Sequence, residues 1–155
     1  MKTNNPYNIE STLPSENELS NKITLTIIKQ FEKNKYKKIK TPTIEYYETL
    51  ELGLGPSLKK NAITFLDKNG HQLVLKPDHT TPIAKTVATR LKKSPLPMSL
   101  YYIDPIFRNS ENPQEDIERQ QAGIEYIGEK KPIAEVEVLK TCITALKSLG
   151  IKEFG

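Results

Sequence analysis

The chain has one cysteine, two histidines and seven glycines among 155 residues. Cys142 by itself forms no internal disulfide, which fits a reducing compartment. His71 and His79 stand at no metal-ligand spacing with each other or with the cysteine, so no metal site is expected. The glycines form no phosphate-cradling loop, and neither a nucleophile elbow nor a zinc-ribbon spacing occurs. No apolar run approaches the ~18 residues of a membrane helix. The stretch from Met1 to Ser20 is polar and lacks the apolar centre of a secretion signal. These absences exclude a disulfide scaffold, a zinc ribbon, a P-loop site and a membrane span. The expectation is a soluble cytoplasmic protein with no cofactor.

What is present describes an ordinary globular chain. Apolar residues make up 36% and charged residues 27%, a mix that supports one core and not a disordered segment. A single domain over residues 1–155 is expected, with 1–14 as a flexible lead. Lys plus Arg is 23 and Asp plus Glu is 19, a net charge of +4. That surplus is too small to argue for nucleic acid without a clustered basic face. The lysine-dense stretch Lys33 to Lys40 reads as a short edge strand blunted by charge. No internal repeat is visible.

Patterning then sets the elements. Ser15 with Glu18 three residues on is a capping box and predicts a helix start. Leu19, Ile23, Ile27 and Phe31 give that helix one apolar stripe, ending near Asn34. Ile63 to Leu66 and Gln72 to Leu75 flank Asn69-Gly70, a hairpin signal. Thr81 caps a second helix, with Pro82 at its start and Ile83, Val87 and Leu91 as its stripe. Leu100 to Phe107 and Gln120 to Ile127 read as an antiparallel pair joined by a polar loop, 109–117. Pro132 opens a last helix whose buried face is Val136, Leu139, Ile143 and Leu146, with Cys142 beside it as a small core residue. The fold class is α+β, an antiparallel sheet flanked by helices.

Five side chains are candidates for ligand binding. Strand alternation puts Gln121, Gly123 and Glu125 on one face, so an amide and a carboxylate flank an open space suited to an ammonium group. Arg108 ends its strand beside the loop, where its planar fork would grip a carboxylate or phosphate. The competing reading pairs it with Glu111, Glu115, Asp116 or Glu118. Asp78 and Thr80 precede a helix N-terminus, where they either cap the helix or meet a ligand.

These segments, from about Leu13 to Phe154, resemble the histidyl-tRNA synthetase family of class II enzymes. Tyr101-Tyr102-Ile103-Asp104-Pro105-Ile106-Phe107-Arg108 resembles the class II motif 2 strand. Gln120 to Gly128 resembles the returning strand of the histidyl branch, and Leu75-Lys76-Pro77-Asp78-His79-Thr80 its Leu-Arg-Pro-acidic-x-Thr segment. Lys40-Thr41-Pro42-Thr43-Ile44-Glu45 resembles the motif 1 region, which packs the family's dimers. The run Thr81 to Leu91 looks most like the catalytically silent members, the regulatory subunits of ATP phosphoribosyltransferase.

The resemblance implies the front part of a class II synthetase catalytic core. By position it assigns histidine contacts to Asp78, Thr80, Gln121 and Glu125, and matches Arg108 to the family's ATP α-phosphate arginine. Two positions depart from the family: Asp104 replaces a Gly and Lys76 an Arg. The motif 2 loop is acidic, with Glu111, Glu115, Asp116 and Glu118 against Arg119, which opposes a triphosphate or an RNA backbone. The chain stops at Gly155, before any motif 3 arginine, so the expectation is either a fragment of a longer domain or an incomplete pocket. The expected role is therefore non-catalytic. It is a homodimeric partner of the short catalytic ATP phosphoribosyltransferase, with histidine as ligand and without tRNA. The rival reading is a histidyl-tRNA synthetase fragment that activates histidine with ATP.

Overall fold

The computed structural model describes residues 7–112 and 115–153. The first six residues of the expected flexible lead therefore lie outside the described residues. Of the rest of that lead, Asn8 is tied down. Its carbonyl accepts the Ile117 N–H at 2.9 Å, and its amide donates to the Asn112 carbonyl at 3.2 Å.

The elements run α1 (Pro14–Lys33), β1 (Lys37–Lys38), β2 (Ile44–Tyr46), α2 (Tyr47–Glu51), α3 (Pro56–Lys60), β3 (Ile63–Leu66), β4 (Gln72–Leu75), α4 (Thr80–Thr89), β5 (Met98–Phe107), β6 (Glu118–Ile127) and α5 (Ile133–Ser148). They form two three-stranded sheets, ordered β1-β5-β6 and β2-β4-β3. The class is α+β, as the pattern implied. The lysine-bearing β1 is exposed and lies at a sheet edge, parallel to β5. By contact, the chain divides into two compact units. One is Met1–Ser11, Lys40–Lys93 and Asp104–Gln121; the other is Thr12–Ile39, Ser94–Ile103 and Ala122–Gly155.

The second unit has an aromatic core. Phe31, Tyr36, Tyr101, Ile103 and Ala145 are buried together, with Ile27, Ile28, Ile124 and Tyr126 against them. Phe31 meets Tyr101 with ring centroids 5.6 Å apart, and Tyr36 meets Tyr126 at 6.4 Å. The odd residues 101 and 103 of β5 and the even residues 124 and 126 of β6 thus feed this core. Alternation leaves Tyr102, Gly123 and Glu125 for the other face.

Two helix expectations fail here. The α1 start is not capped by Ser15. Pro14 is already helical, and the Leu13 N–H donates to Glu16 Oε2 at 2.7 Å. Proline presets the first helical φ, and a glutamate at the third position reaches back to the preceding amide. The expected buried face of α5 is also wrong. Val136 and Leu139 are 56% and 61% exposed, and Ile143 and Leu146 remain exposed too. Thr141 and Ala145, four residues apart, are buried in their place. Small side chains on that ridge let α5 lie close against α1, and the larger apolar stripe turns outward.

In the first unit, β2, β4 and β3 pair antiparallel, with Ile44 opposite Leu75 opposite Ile63, and Tyr46 opposite Leu73 opposite Phe65. Directly opposed residues project to the same face. That face is wholly apolar, and Ile44 and Tyr46 stay exposed on it. The other face sends Val74 into a small core with Leu50 and Leu54. The β3–β4 turn is an Asx turn: Asp67 Oδ1 accepts the N–H groups of Asn69 and His71 at 2.8 and 2.9 Å. Only Gly70 in it takes a positive φ, +86°. The elements β2, α2 and α3 were not legible beforehand; they are three to five residues long, too short to show a period.

Candidate functional site

The site grows from the stretch that leaves β4. Leu75 ends the strand, and Pro77 has no N–H to extend it. The segment Lys76 to Thr80 is instead fastened to the end of β5. The Phe107 N–H donates to the Lys76 carbonyl at 3.0 Å, and Arg108 Nε donates to the Pro77 carbonyl at 2.5 Å. His79 Nε2 lies 3.1 Å from the Asp104 carbonyl. A carbonyl only accepts, so Nε2 carries the proton. A fourth bond, Lys76 N–H to the Thr43 carbonyl at 2.8 Å, ties the segment to the residue before β2.

Around this segment the first unit buries charge. The Lys76 side chain is 1% exposed, and its Nζ reaches Thr41 Oγ1 at 3.3 Å. Burial holds the Lys76 pKa below the ordinary lysine value; Asp104 pushes it back up, and Lys40 adds to the lowering. His79 is equally buried, and burial likewise holds its pKa below the ordinary imidazole value. Glu45, buried in the middle of β2, receives Lys85 Nζ at 2.5 Å. The Asp104 carboxylate keeps one buried oxygen, Oδ2, with no hydrogen-bond partner. None of Lys76, His79 or Asp104 was anticipated as a site residue. The signals were a charged residue inside an apolar strand and a histidine wedged between two expected contacts.

The expected site residues take distinct places. Asp78 is part-buried, and its Oδ1 accepts the Thr81 N–H at 3.2 Å, so it supplies the cap of α4. The cap is therefore not Thr81, which lies inside the helix and bonds the Gly53 carbonyl at 3.3 Å. Thr80 opens α4 at the surface. Arg108 binds the Pro77 carbonyl, and among the described residues it forms no ion pair with the acidic loop. Glu111 pairs with Lys60 at 3.1 Å and Glu115 with Arg119 at 2.8 Å. Gln121 holds its Oε1 buried without a partner.

Asp78 and Arg108 are thus brought to one short segment, Asp78 next to Pro77 in sequence and Arg108 through its bond to the Pro77 carbonyl. Arg108 also edges a cleft of about 710 Å³ with Lys60, Asn61, Ser110, Glu115 and Arg119. Asp78, Thr80 and Gln121 do not line it. The Glu115 carboxyl is held below its ordinary range, first by the Ser110 hydroxyl and then by Arg119.

In the second unit, Glu125 lies on β6 four residues beyond Gln121, on the same side by alternation. The open space expected at Gly123 is not there. A Cβ on Gly123 would run into the ring and hydroxyl of Tyr102, which fills the place. The adjacent tyrosines 101 and 102 point to opposite faces, one to the aromatic core and one over Gly123.

Among the described residues no group of three or more His, Cys, Asp or Glu is placed to hold a metal. No helix there is long and apolar enough to cross a membrane.

The fold of the chain recurs in known proteins. The family model for histidyl-tRNA synthetase matches residues 8–155. The chain belongs to the histidyl-tRNA synthetase family. It is 45% identical over 121 residues to the ATP phosphoribosyltransferase regulatory subunit of Halothermothrix orenii, covering 77% of this chain and 29% of that protein. The regulatory subunit of Symbiobacterium thermophilum is 33% identical over 155 residues, covering 99% of this chain and 39% of its own length. Among solved structures, an ATP phosphoribosyltransferase regulatory subunit/histidyl-tRNA synthetase from Bacillus halodurans C superposes with a TM-score of 0.89 at 32% identity, over 99% of this chain and 40% of that one. Apo histidyl-tRNA synthetase from S. aureus gives a TM-score of 0.82 at 24% identity, over 97% and 36%. The fold is that of histidyl-tRNA synthetase-like class II domains. The chain spans well under half the length of these relatives.

Proposed function

We propose that this member of the histidyl-tRNA synthetase family acts as a regulatory subunit of ATP phosphoribosyltransferase. It stimulates a short catalytic subunit in the cytoplasm, works as a homodimer, and carries histidine feedback without catalysing a step itself. The observation that carries this reading is the run of relatives at 33–45% identity named as that regulatory subunit. The site chemistry agrees with it. Arg108 is spent on the Pro77 carbonyl, and Lys60 and Arg119 beside it face Glu111 and Glu115. A triphosphate or a tRNA end would have to displace those carboxylates.

Histidine is the proposed ligand. Asp78, Thr80 and Gln121 offer it acceptors within one unit. The partner-free Gln121 Oε1 suits an ammonium donor. Feedback is then a coupling free energy between histidine and the catalytic subunit, of the usual ~1–3 kcal/mol.

The test is an assay of the short catalytic subunit with and without the full-length protein, histidine being titrated in. Stimulation that histidine reverses is the expected result. No stimulation at any ratio overturns the reading. A second reading, histidine activation with ATP, draws on Arg108 standing where synthetases hold the α-phosphate. It requires histidine-dependent exchange of pyrophosphate into ATP, lost in Arg108→Ala.

A further inference from the structure

Residues 29–39 hold five lysines against one glutamate, a surplus of four that equals the net charge of the whole chain. The rest of the chain is balanced, and its excess charge is confined to the end of α1, the turn after it and β1. Lys29, Lys33, Lys35, Lys37 and Lys38 are all exposed, and among the described residues none of them forms an ion pair. The one carboxylate of the stretch, Glu32, accepts the Tyr101 hydroxyl at 3.0 Å.

Local structure accounts for only part of this. Lys33 suits the negative end of a helix, and Lys37 and Lys38 keep the sheet edge from pairing with another strand. Lys35 fits neither role. The α1 helix ends in a Schellman motif: the Tyr36 N–H donates to the Phe31 carbonyl at 3.0 Å and the Lys35 N–H to the Glu32 carbonyl at 2.9 Å. The residue at that place takes left-handed backbone, and glycine is its usual occupant. Lys35 holds φ +65° there, where a side chain strains the backbone. Lys29, one turn before Lys33, sets like charge on the same helix face, which is mildly unfavourable. Charges kept against local preference point to a use outside the fold.

We propose that this lysine edge is a docking surface for an acidic protein surface, that of the catalytic subunit. The proposal rests on the regulatory-subunit reading above. The chemistry favours protein over nucleic acid. The stretch has no arginine to fork onto phosphates. Its two rings, Phe31 and Tyr36, are buried in the core, so neither is offered to stack on a base. With only two residues, β1 is too short to receive an added strand, and the contact is one of side-chain charge. Such contacts act mainly on the association rate and weaken with salt.

The experiment measures binding of the full-length protein to the short catalytic subunit at ~50 mM and ~500 mM salt. Wild type is compared with Lys35→Glu/Lys37→Glu/Lys38→Glu. The control carries the same charge change at exposed lysines elsewhere, Lys68→Glu/Lys92→Glu/Lys93→Glu. At low salt the lysine-edge variant is expected to bind roughly 10- to 100-fold more weakly, mostly through slower association, and the control within ~3-fold of wild type. The gap closes at high salt. Lys35→Gly removes one charge and the backbone strain together. It is expected to be at least as stable as wild type yet to bind roughly 2- to 5-fold more weakly. Wild-type affinity in Lys35→Gly overturns the proposal. Equal binding by the lysine-edge variant and the control overturns it and leaves the regulatory reading intact. If that variant then loses salt-sensitive binding to random-sequence RNA instead, the edge belongs to nucleic acid. No binding by the wild type overturns both readings.

Discussion

The unit that contains α1 and α5 buries Phe31, Tyr36, Tyr101, Ile103 and Ala145, an interior of rings and small apolar groups. The unit that contains β2, β3 and β4 buries Lys76, His79, Glu45 and Thr41 beside the apolar side chains of Leu50, Leu54, Val74, Ile83 and Ile106. An apolar interior gains from every atom removed from water. A charged one loses on desolvation and recovers the loss only through well-placed partners. Partners here include Thr41 for Lys76, Lys85 for Glu45 and the Asp104 carbonyl for His79. A unit built this way holds specific groups in place at a cost in stability, as a binding region does.

The comparison is broken most easily by truncating the two cores. Phe31→Ala is expected to destabilise the chain by about 3–5 kcal/mol, read from chemical denaturation. Glu45→Gln comes next, at about 1–3 kcal/mol, because it leaves Lys85 without its carboxylate and an amide in a buried place. Lys76→Met is expected to change stability by no more than about 1 kcal/mol, since it removes a buried ammonium and keeps its volume. If Lys76→Met costs as much as Phe31→Ala, the ammonium has partners that make it a net stabiliser, and the contrast drawn between the units is wrong.

That contrast was half visible in the sequence. The helix ending after Phe31, the hairpin around Asn69-Gly70, the β5–β6 pair and the last helix all follow from local period and turn chemistry, although Leu19 and Ile23 of the first stripe stay exposed. So does the shared side of Gln121 and Glu125. The rest depends on what arrives from elsewhere in the chain. Lys76 reads as a surface lysine until Thr41 and Asp104 close over it. His79 reads as a turn residue until β5 supplies the carbonyl. Gly123 reads as a gap until Tyr102 fills it. The apolar stripe of α5 reads as buried because periodicity says which residues share a side, not which side faces inward. The small ridge of Thr141 and Ala145 decided that.

The smallest expected effect is also the most specific, because pH moves the two interiors in opposite directions. Lys76 has a folded pKa below its ordinary 10.5. Between the folded value and 10.5 the unfolded chain holds the extra proton, so stability rises with pH through that window. Tyr36 has its pKa raised above the ordinary 10.0, first by burial and then by Glu137, and Tyr101 is raised by burial and by Glu32. From 10.0 upward the unfolded chain gives up those protons first, so stability falls through the folded values. On the acid side His79, lowered from 6.5, loses its contribution as pH drops from 6.5 through its folded value. Hydrogen exchange followed residue by residue from pH 5 to 8.5 (the alkaline arm by denaturant melts of wild type against Lys76→Met and Tyr36→Phe) separates the signs. Lys76→Met should flatten the rise, and Tyr36→Phe should flatten the fall. If both variants shift the alkaline arm the same way, the two interiors do not differ in the manner that their buried groups require.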